Sequence, residues 1–221
     1  MIADSALSQL LEQLVDRKVS EFMPATVIRR DFALEADGGM VECSLTTGCF
    51  PWSTYGWGSS PTRAITEDVR IGQCWLVHSP HARLGVVLAE PIYPTHVTID
   101  HVPRQLAADI GEAPHAMTLW GVVDGQENLS RYTAMSLNAE LEGASTMKQY
   151  FVIPLASFEY DITRSPSQSF PIYDHIRQSG MDFGIVVLEI RSNWGSQKSC
   201  LYRLRVHGSS SLDTENVSHL P

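Results

Sequence analysis

The 221-residue chain is 43% hydrophobic and 19% charged, which excludes a disordered polymer and supplies enough apolar content for one sizeable core. Its formal net charge of −9 excludes nucleic acid as the main partner, because phosphates need a basic face. No apolar run reaches the roughly 20 residues that cross a bilayer, and Met1-Ile-Ala-Asp-Ser has neither the basic nor the apolar region of a signal peptide. If the protein works in a secretory compartment, the sequence therefore reads as a fragment of something longer, its membrane attachment supplied elsewhere.

Asp4 to Phe22 reads as a helix. Leu7, Leu10, Leu11, Leu14 and Val15 recur at helical spacing, Asp4 or Ser5 can cap the start, and Pro24 stops it. Leu7, Leu10 and Leu14 fit an a/d/a pattern that Arg17 and Glu21 break, so the end of a coiled coil and an amphipathic helix lying on the domain both fit. After Pro24 the chain turns β-like. Strands are predicted around Arg83–Leu88, Thr95–His101, Met117–Val123, Gln149–Ile153, Ser157–Tyr160, Ile185–Arg191 and Leu201–Val206, separated by Gly, Pro, Ser and Asp. Short strands without helices between them predict an all-β antiparallel sandwich or jelly roll behind a short N-terminal helix. Thr46 to Thr62 reads as a surface loop rich in aromatics. Asp124 to Met147 reads as a long insertion with one helical turn at Ala134–Leu141, and the polar tail from Ser209 as disordered.

The chemistry of catalysis is not visible. The sequence has no Gly-x-Ser-x-Gly elbow, no phosphate-cradling glycine loop and no His-Glu-x-x-His, and no enzyme is expected. His96, Asp100 and His101 come nearest to a cluster, but on a strand His101 faces away from the other two. Trp52, Tyr55 and Trp57 either stack a sugar or a base or anchor their loop. Cys43, Cys49, Cys74 and Cys200 lack Cys-x-x-Cys spacing; four cysteines allow three full pairings, and four buried thiols fit equally. Cys200 stands out, because it lies between a polar loop and the alternating run Leu201–Val206. Asn128-Leu-Ser and Asn216-Val-Ser are glycosylation sequons, compatible with a luminal setting.

Several segments, in order, resemble the SUN domains of inner-nuclear-membrane proteins. "SNWG…CLYRLRVHG" (Ser192 to Gly208) resembles that family's C-terminal signature, "GQCW" (Gly72–Trp75) its Gly-x-Cys-Trp, and "IYPTHVTIDHVP" (Ile92–Pro103) its Ile-x-Pro-x-x-Val-Thr-Ile-x-His-x-Pro strand. "DFALEADGG" (Asp31–Gly39) resembles its opening segment, "EAP" (Glu112–Pro114) stands where the family has Ser-Ala-Pro, and "LASFEYD" (Leu155–Asp161) resembles Leu-Gly-x-Phe-x-Tyr-Asp. The resemblance implies a galactose-binding-like sandwich over 25–208, following a helix over 1–24 that either ends a coiled coil or inhibits the domain.

Within that frame the resemblance implies a disulfide between Cys74 and Cys200, and a monovalent cation, potassium, in the loop 63–73, with Arg63, Thr66, Asp68, Gln73 and Tyr202 at the matching positions. It implies a homotrimer in the perinuclear lumen that tethers the outer to the inner nuclear membrane within a LINC complex by holding the C-terminal tail of a KASH protein. Strand addition and a carboxylate pocket would share that work. The pocket positions are His101, Glu112, Lys198 and Tyr202; Glu112 replaces the family serine and Lys198 its aromatic. The lid interval, 41–61, is short. Cys43 and Cys49 lie near the position from which relatives bond covalently to the KASH tail, and a bond to each other is the equal alternative. The other reading of the same sequence is a SUN-fold or galactose-binding-like module that holds a glycan or an endoplasmic-reticulum partner without KASH.

Overall fold

The computed structural model describes residues 29–49, 59–138, 145–147 and 150–210, with only the backbone at 136–138 and 145–146. The chain divides into two units, Met1–Arg30 and Asp31–Pro221, and the fold described here is that of the second. The predicted helix 4–22, the aromatics Trp52, Tyr55 and Trp57, the sequon at Asn216 and the tail from 211 lie outside the described residues.

The strands are β1 (Met40–Val41), β2 (Trp75–Val77), β3 (Ala82–Asp100), β4 (Ala116–Val122), β5 (Ser145–Met147), β6 (Tyr150–Glu159), β7 (Ser167–Pro171), β8 (Phe183–Ile190), β9 (Ser199–Leu201) and β10 (Arg203–Ser210). The large sheet runs β1-β3-β8-β4-β6-β5, with β10 and β7 also paired to β3; β2 and β9 form a separate ribbon. Every pairing is antiparallel. This is the predicted all-β sandwich.

β3 organises the fold. Its first half, with Ala82, Leu84, Val86 and Leu88 inward, lies between β1 and β8, and its second half, with Val97 and Ile99 inward, lies between β10 and β7. Buried positions thus change from even to odd numbers. The register shift opposite His207 and Gly208 accounts for the change, since one extra residue turns every following side chain to the other face. Leu119, Leu188, Ile190, Phe183, Leu204 and Val206 join these residues in one core. A smaller cluster of Leu45, Val122, Met147, Val152 and Val187 packs separately.

The stretch 124–147, expected to hold a single helical turn at Ala134–Leu141, holds the longer helix α1 (Gln126–Asn138) and β5. Tyr132 and Met135 pack on the main core, and the Asn128 amide donates to the Asp182 carbonyl at 2.8 Å. Ser209 and Ser210 belong to β10 and are not tail. A second helix, α2 (Asp174–Ser179), ends on Gly180 at φ 70°.

Candidate functional site

The site is built where β3 ends and β9 passes into β10. His101 follows the last residue of β3, and Tyr202 stands between the two C-terminal strands. Their rings meet edge to face with centroids 4.8 Å apart. Both residues are buried, His101 at 7% exposure and Tyr202 at 5%. His101 Nδ1 lies 2.9 Å from the Val102 carbonyl, which fixes the ring and leaves Nε2 as the other polar edge. Burial lowers the imidazole's proton affinity, and the bond to Val102 opposes that in part.

Tyr160 completes the aromatic group, 5.9 Å from His101. Its hydroxyl donates to the Pro166 carbonyl at 3.1 Å. Burial first, then the charges of Asp100 and Asp161, push its pKa well above the ordinary phenol value.

The Cys74–Cys200 disulfide lies directly beside this group. It joins β2 to β9, where Leu76 pairs with Cys200, and packs with Val102 and Tyr202. The alternation noted at Cys200 is now legible: Leu204 and Val206 enter the core, while Arg203 and Arg205 turn outward to Asp31 and Asp100 at 2.9 and 2.8 Å.

The loop 63–73 reaches the same place. Gly72 N donates to the Tyr202 hydroxyl at 3.1 Å. Arg63 lies in the 3-10 turn Pro61–Ile65, and its carbonyl accepts from the Thr66 hydroxyl at 3.0 Å. The Asp68 carboxylate is taken by Arg70, whose hydrogen bonds hold its pKa down to about 2. Gln73 N donates to the Arg70 carbonyl at 2.9 Å. Apart from Glu67 and the engaged Asp68, the oxygens of the loop are carbonyl, hydroxyl and amide groups, the kind that replace the hydration shell of a monovalent cation. Among the described residues no three His, Cys, Asp or Glu side chains converge as a metal cluster, and His96, Asp100 and His101 do not do so.

Glu112 and Lys198 sit on two loops that are fastened together. Ser196 N donates to the Gly111 carbonyl at 3.2 Å, Trp194 N to the Ala113 carbonyl at 3.1 Å, and Pro114 bridges Asn193. The Asn193 amide donates to the Lys198 carbonyl at 2.6 Å, and the Trp194 indole to the Tyr160 carbonyl at 3.0 Å. Sequence reasoning passed over Asn193 and Trp194 as individuals. Their signal was their place in "SNWG", where they serve as the clasp that ties the Glu112 loop to the Lys198 loop and to Tyr160.

Cys43 and Cys49 are bonded to each other across the 3-10 turn Cys43–Leu45. Of the two alternatives the sequence left, the structure has the intrachain bond, so neither sulfur is a free thiol for a partner. Cys43 and Cys49 border a cavity of about 410 Å³ between β1 and Ser60–Thr62, floored by Ile65.

A disulfide-pinned sandwich with a built aromatic site at one end defines the class: a galactose-binding-like jelly roll. A family 32 carbohydrate-binding module from Streptococcus pneumoniae EndoD superposes with a TM-score of 0.53 at 10% identity, covering 81% of this chain and 100% of that one. Allantoicase from Saccharomyces cerevisiae superposes with a TM-score of 0.52 at 12% identity, covering 87% of this chain and 52% of that one. Such similarity establishes the fold alone.

The sequence relatives are more particular. Residues 57–210 match the Sad1 / UNC-like C-terminal family, and the chain belongs to that family, the SUN domains. It is 29% identical over 212 residues to SUN domain-containing protein 2 of Mus musculus, covering 90% of this chain and 25% of that protein. Against SUN domain-containing protein 1 of Homo sapiens it is 31% identical over 191 residues, 80% of this chain and 21% of that protein. SUN domain-containing protein 2 of Arabidopsis thaliana is 28% identical over 216 residues, with coverages of 93% and 42%. The chain thus spans between a fifth and a quarter of the first two of these relatives.

Proposed function

We propose that this chain is the luminal part of a nuclear-envelope bridge, a non-catalytic SUN domain that captures the C-terminal tail of a KASH protein and tethers the outer to the inner nuclear membrane. The observation that carries this reading is the pairing of His101 and Tyr202, rigid and buried, beside the Cys74–Cys200 bridge in a chain of the SUN family. Tail capture needs a fixed polar edge for a terminal carboxylate and an immobile wall for the last side chain. The ring of Tyr202 supplies that wall, and His101 supplies the edge when Nε2 takes up a proton on binding, since the Nδ1 proton is already given to the Val102 carbonyl.

In this reading a potassium ion would be held mainly by backbone carbonyl oxygens at Arg63, Thr66, Asp68, Gln73 and Tyr202. It would keep the loop 63–73 shaped around the Tyr202 hydroxyl. The functional unit is a homotrimer in the perinuclear space, joined to the inner nuclear membrane. The segment 1–24 belongs to the assembly, and the domain proper runs to the end of β10 at Ser210.

Replacing His101 by Ala, or Tyr202 by Ala, tests the assignment. A fluorescent peptide of a KASH C-terminus, titrated by anisotropy against the chain carried on a trimeric coiled coil, is expected to lose at least tenfold in affinity with either change. Undiminished binding by both folded variants would place capture elsewhere on the domain.

A further inference from the structure

The loops flanking the His101–Tyr202 pair carry two opposite charges that do not meet. Glu112 ends the turn Ile110–Glu112, and Lys198 directly precedes β9; both are half-buried. Among the described residues neither takes part in an ion pair. The neighbouring carboxylate of Asp109 is already used, accepting from Gly111 N at 2.9 Å.

The two loops are fastened to each other. Gly111 is tied to Ser196, Ala113 to Trp194, and the carbonyls of Ser196 and Lys198 both accept from the Asn193 amide, at 2.9 and 2.6 Å. A partly desolvated charge without a counter-charge costs free energy, and a ligand that brings the opposite charge recovers it. Two such charges, one of each sign, on loops that the backbone clasp holds in a fixed relation, call for a ligand end that is itself dipolar. An acidic ligand would also meet the general repulsion of a chain with net charge −9.

We infer that Glu112 and Lys198 set the specificity of this site. The preferred ligand is a peptide C-terminus whose carboxylate is shared between His101 and Lys198 and whose last residues carry a basic side chain for Glu112. The assignment rests on the tail-capture reading above. Around it, Ile71 and Leu106, exposed at 58% and 53%, offer apolar surface: Ile71 beside the Gly72–Tyr202 bond and Leu106 beside Ala107, which packs on Val102 and Tyr202.

The test is a set of KASH C-terminal peptides whose last two residues are replaced in turn by Lys, Gln or Glu, each as free acid and as amide. They are titrated against the trimerised 221-residue chain and its Glu112→Gln and Lys198→Met variants, all checked for folding by thermal melting. For the wild-type chain the free acids should rank Lys above Gln above Glu, with tenfold or more between the extremes. Glu112→Gln should bring that ratio close to one, and Lys198→Met should remove most of the preference for acid over amide. A Lys-to-Glu ratio unchanged in Glu112→Gln, or an acid preference unchanged in Lys198→Met, overturns the inference while leaving tail capture standing. No binding, or equal binding of acid and amide by the wild-type chain, overturns tail capture itself and this assignment with it.

Discussion

The His101 imidazole is walled by Tyr160, Tyr202 and Val102, and its lowered pKa has a consequence for stability. A histidine that resists protonation when folded but titrates near 6.5 when unfolded makes the unfolded state bind more protons in acid. Its contribution is therefore constant above about pH 6.5 and is lost as pH falls below it. Melting temperature should decline from pH 7 to pH 5, and His101→Gln should flatten part of that decline; an identical slope in the variant would show that His101 titrates normally. At Gly121 the reason for the residue is space. A Cβ there would run into the Phe183 ring and the Leu155 side chain, so Gly121→Ala should destabilise by about 1–3 kcal/mol through overpacking, read as a lower denaturant midpoint.

At the scale of elements, the two disulfides differ in what they hold. Cys74–Cys200 spans 126 positions and Cys43–Cys49 spans 6. Loop entropy gives about 4–5 kcal/mol for the long bridge and about 2 for the short one. Urea unfolding of Cys74→Ser/Cys200→Ser should show the larger loss, and a smaller loss than in Cys43→Ser/Cys49→Ser would mean that β2 and β9 are held mainly by packing. Helix α1 makes a separate prediction, because the sequon asparagine Asn128 is 8% exposed and bonded to Asp182 through its amide. Folded protein from a glycosylating host should carry no glycan at Asn128, and peptide mapping that found one would show α1 undocked.

The same elements show what the sequence could and could not disclose. The strand-forming runs expected around Arg83–Leu88, Met117–Val123, Ile185–Arg191 and Leu201–Val206 were legible because they are rich in Val, Ile, Thr and aromatics, and in the last of them apolar residues alternate with arginines. The break expected between Leu88 and Thr95 rested on Pro91 and Pro94, yet β3 continues through them with register shifts that accommodate residues unable to donate. Similarly, Pro154 lies at the shift between β4 and β6, which joins two expected strands into one. β7, "SQSFP", has little intrinsic strand preference and exists because β3 pairs with it. Helix α1 was reduced to one turn because its face toward the core depends on few apolar residues, Tyr132 and Met135, with a buried amide doing part of the docking. In the site, His101, Tyr202, Cys74 and Cys200 were legible through the family resemblance. The clasp of Asn193 and Trp194 needed three-dimensional pairing to be seen.

The whole domain is a SUN-family sandwich with a buried aromatic site at the meeting of β3, β9 and β10. The proposed potassium ion should make the fold more stable in potassium chloride than in tetramethylammonium chloride at equal ionic strength, since the larger cation cannot enter a loop of carbonyls and a ligand for the folded state raises its stability. Equal melting temperatures would remove the ion from the account. The central claim, capture of a chain end, is tested most directly by calorimetric titration of the trimerised chain with a KASH C-terminal peptide and with the same peptide amidated. Heat of binding with the free acid and none with the amide is the predicted result; equal binding of the two, or binding of neither by a chain shown to be trimeric, would contradict it.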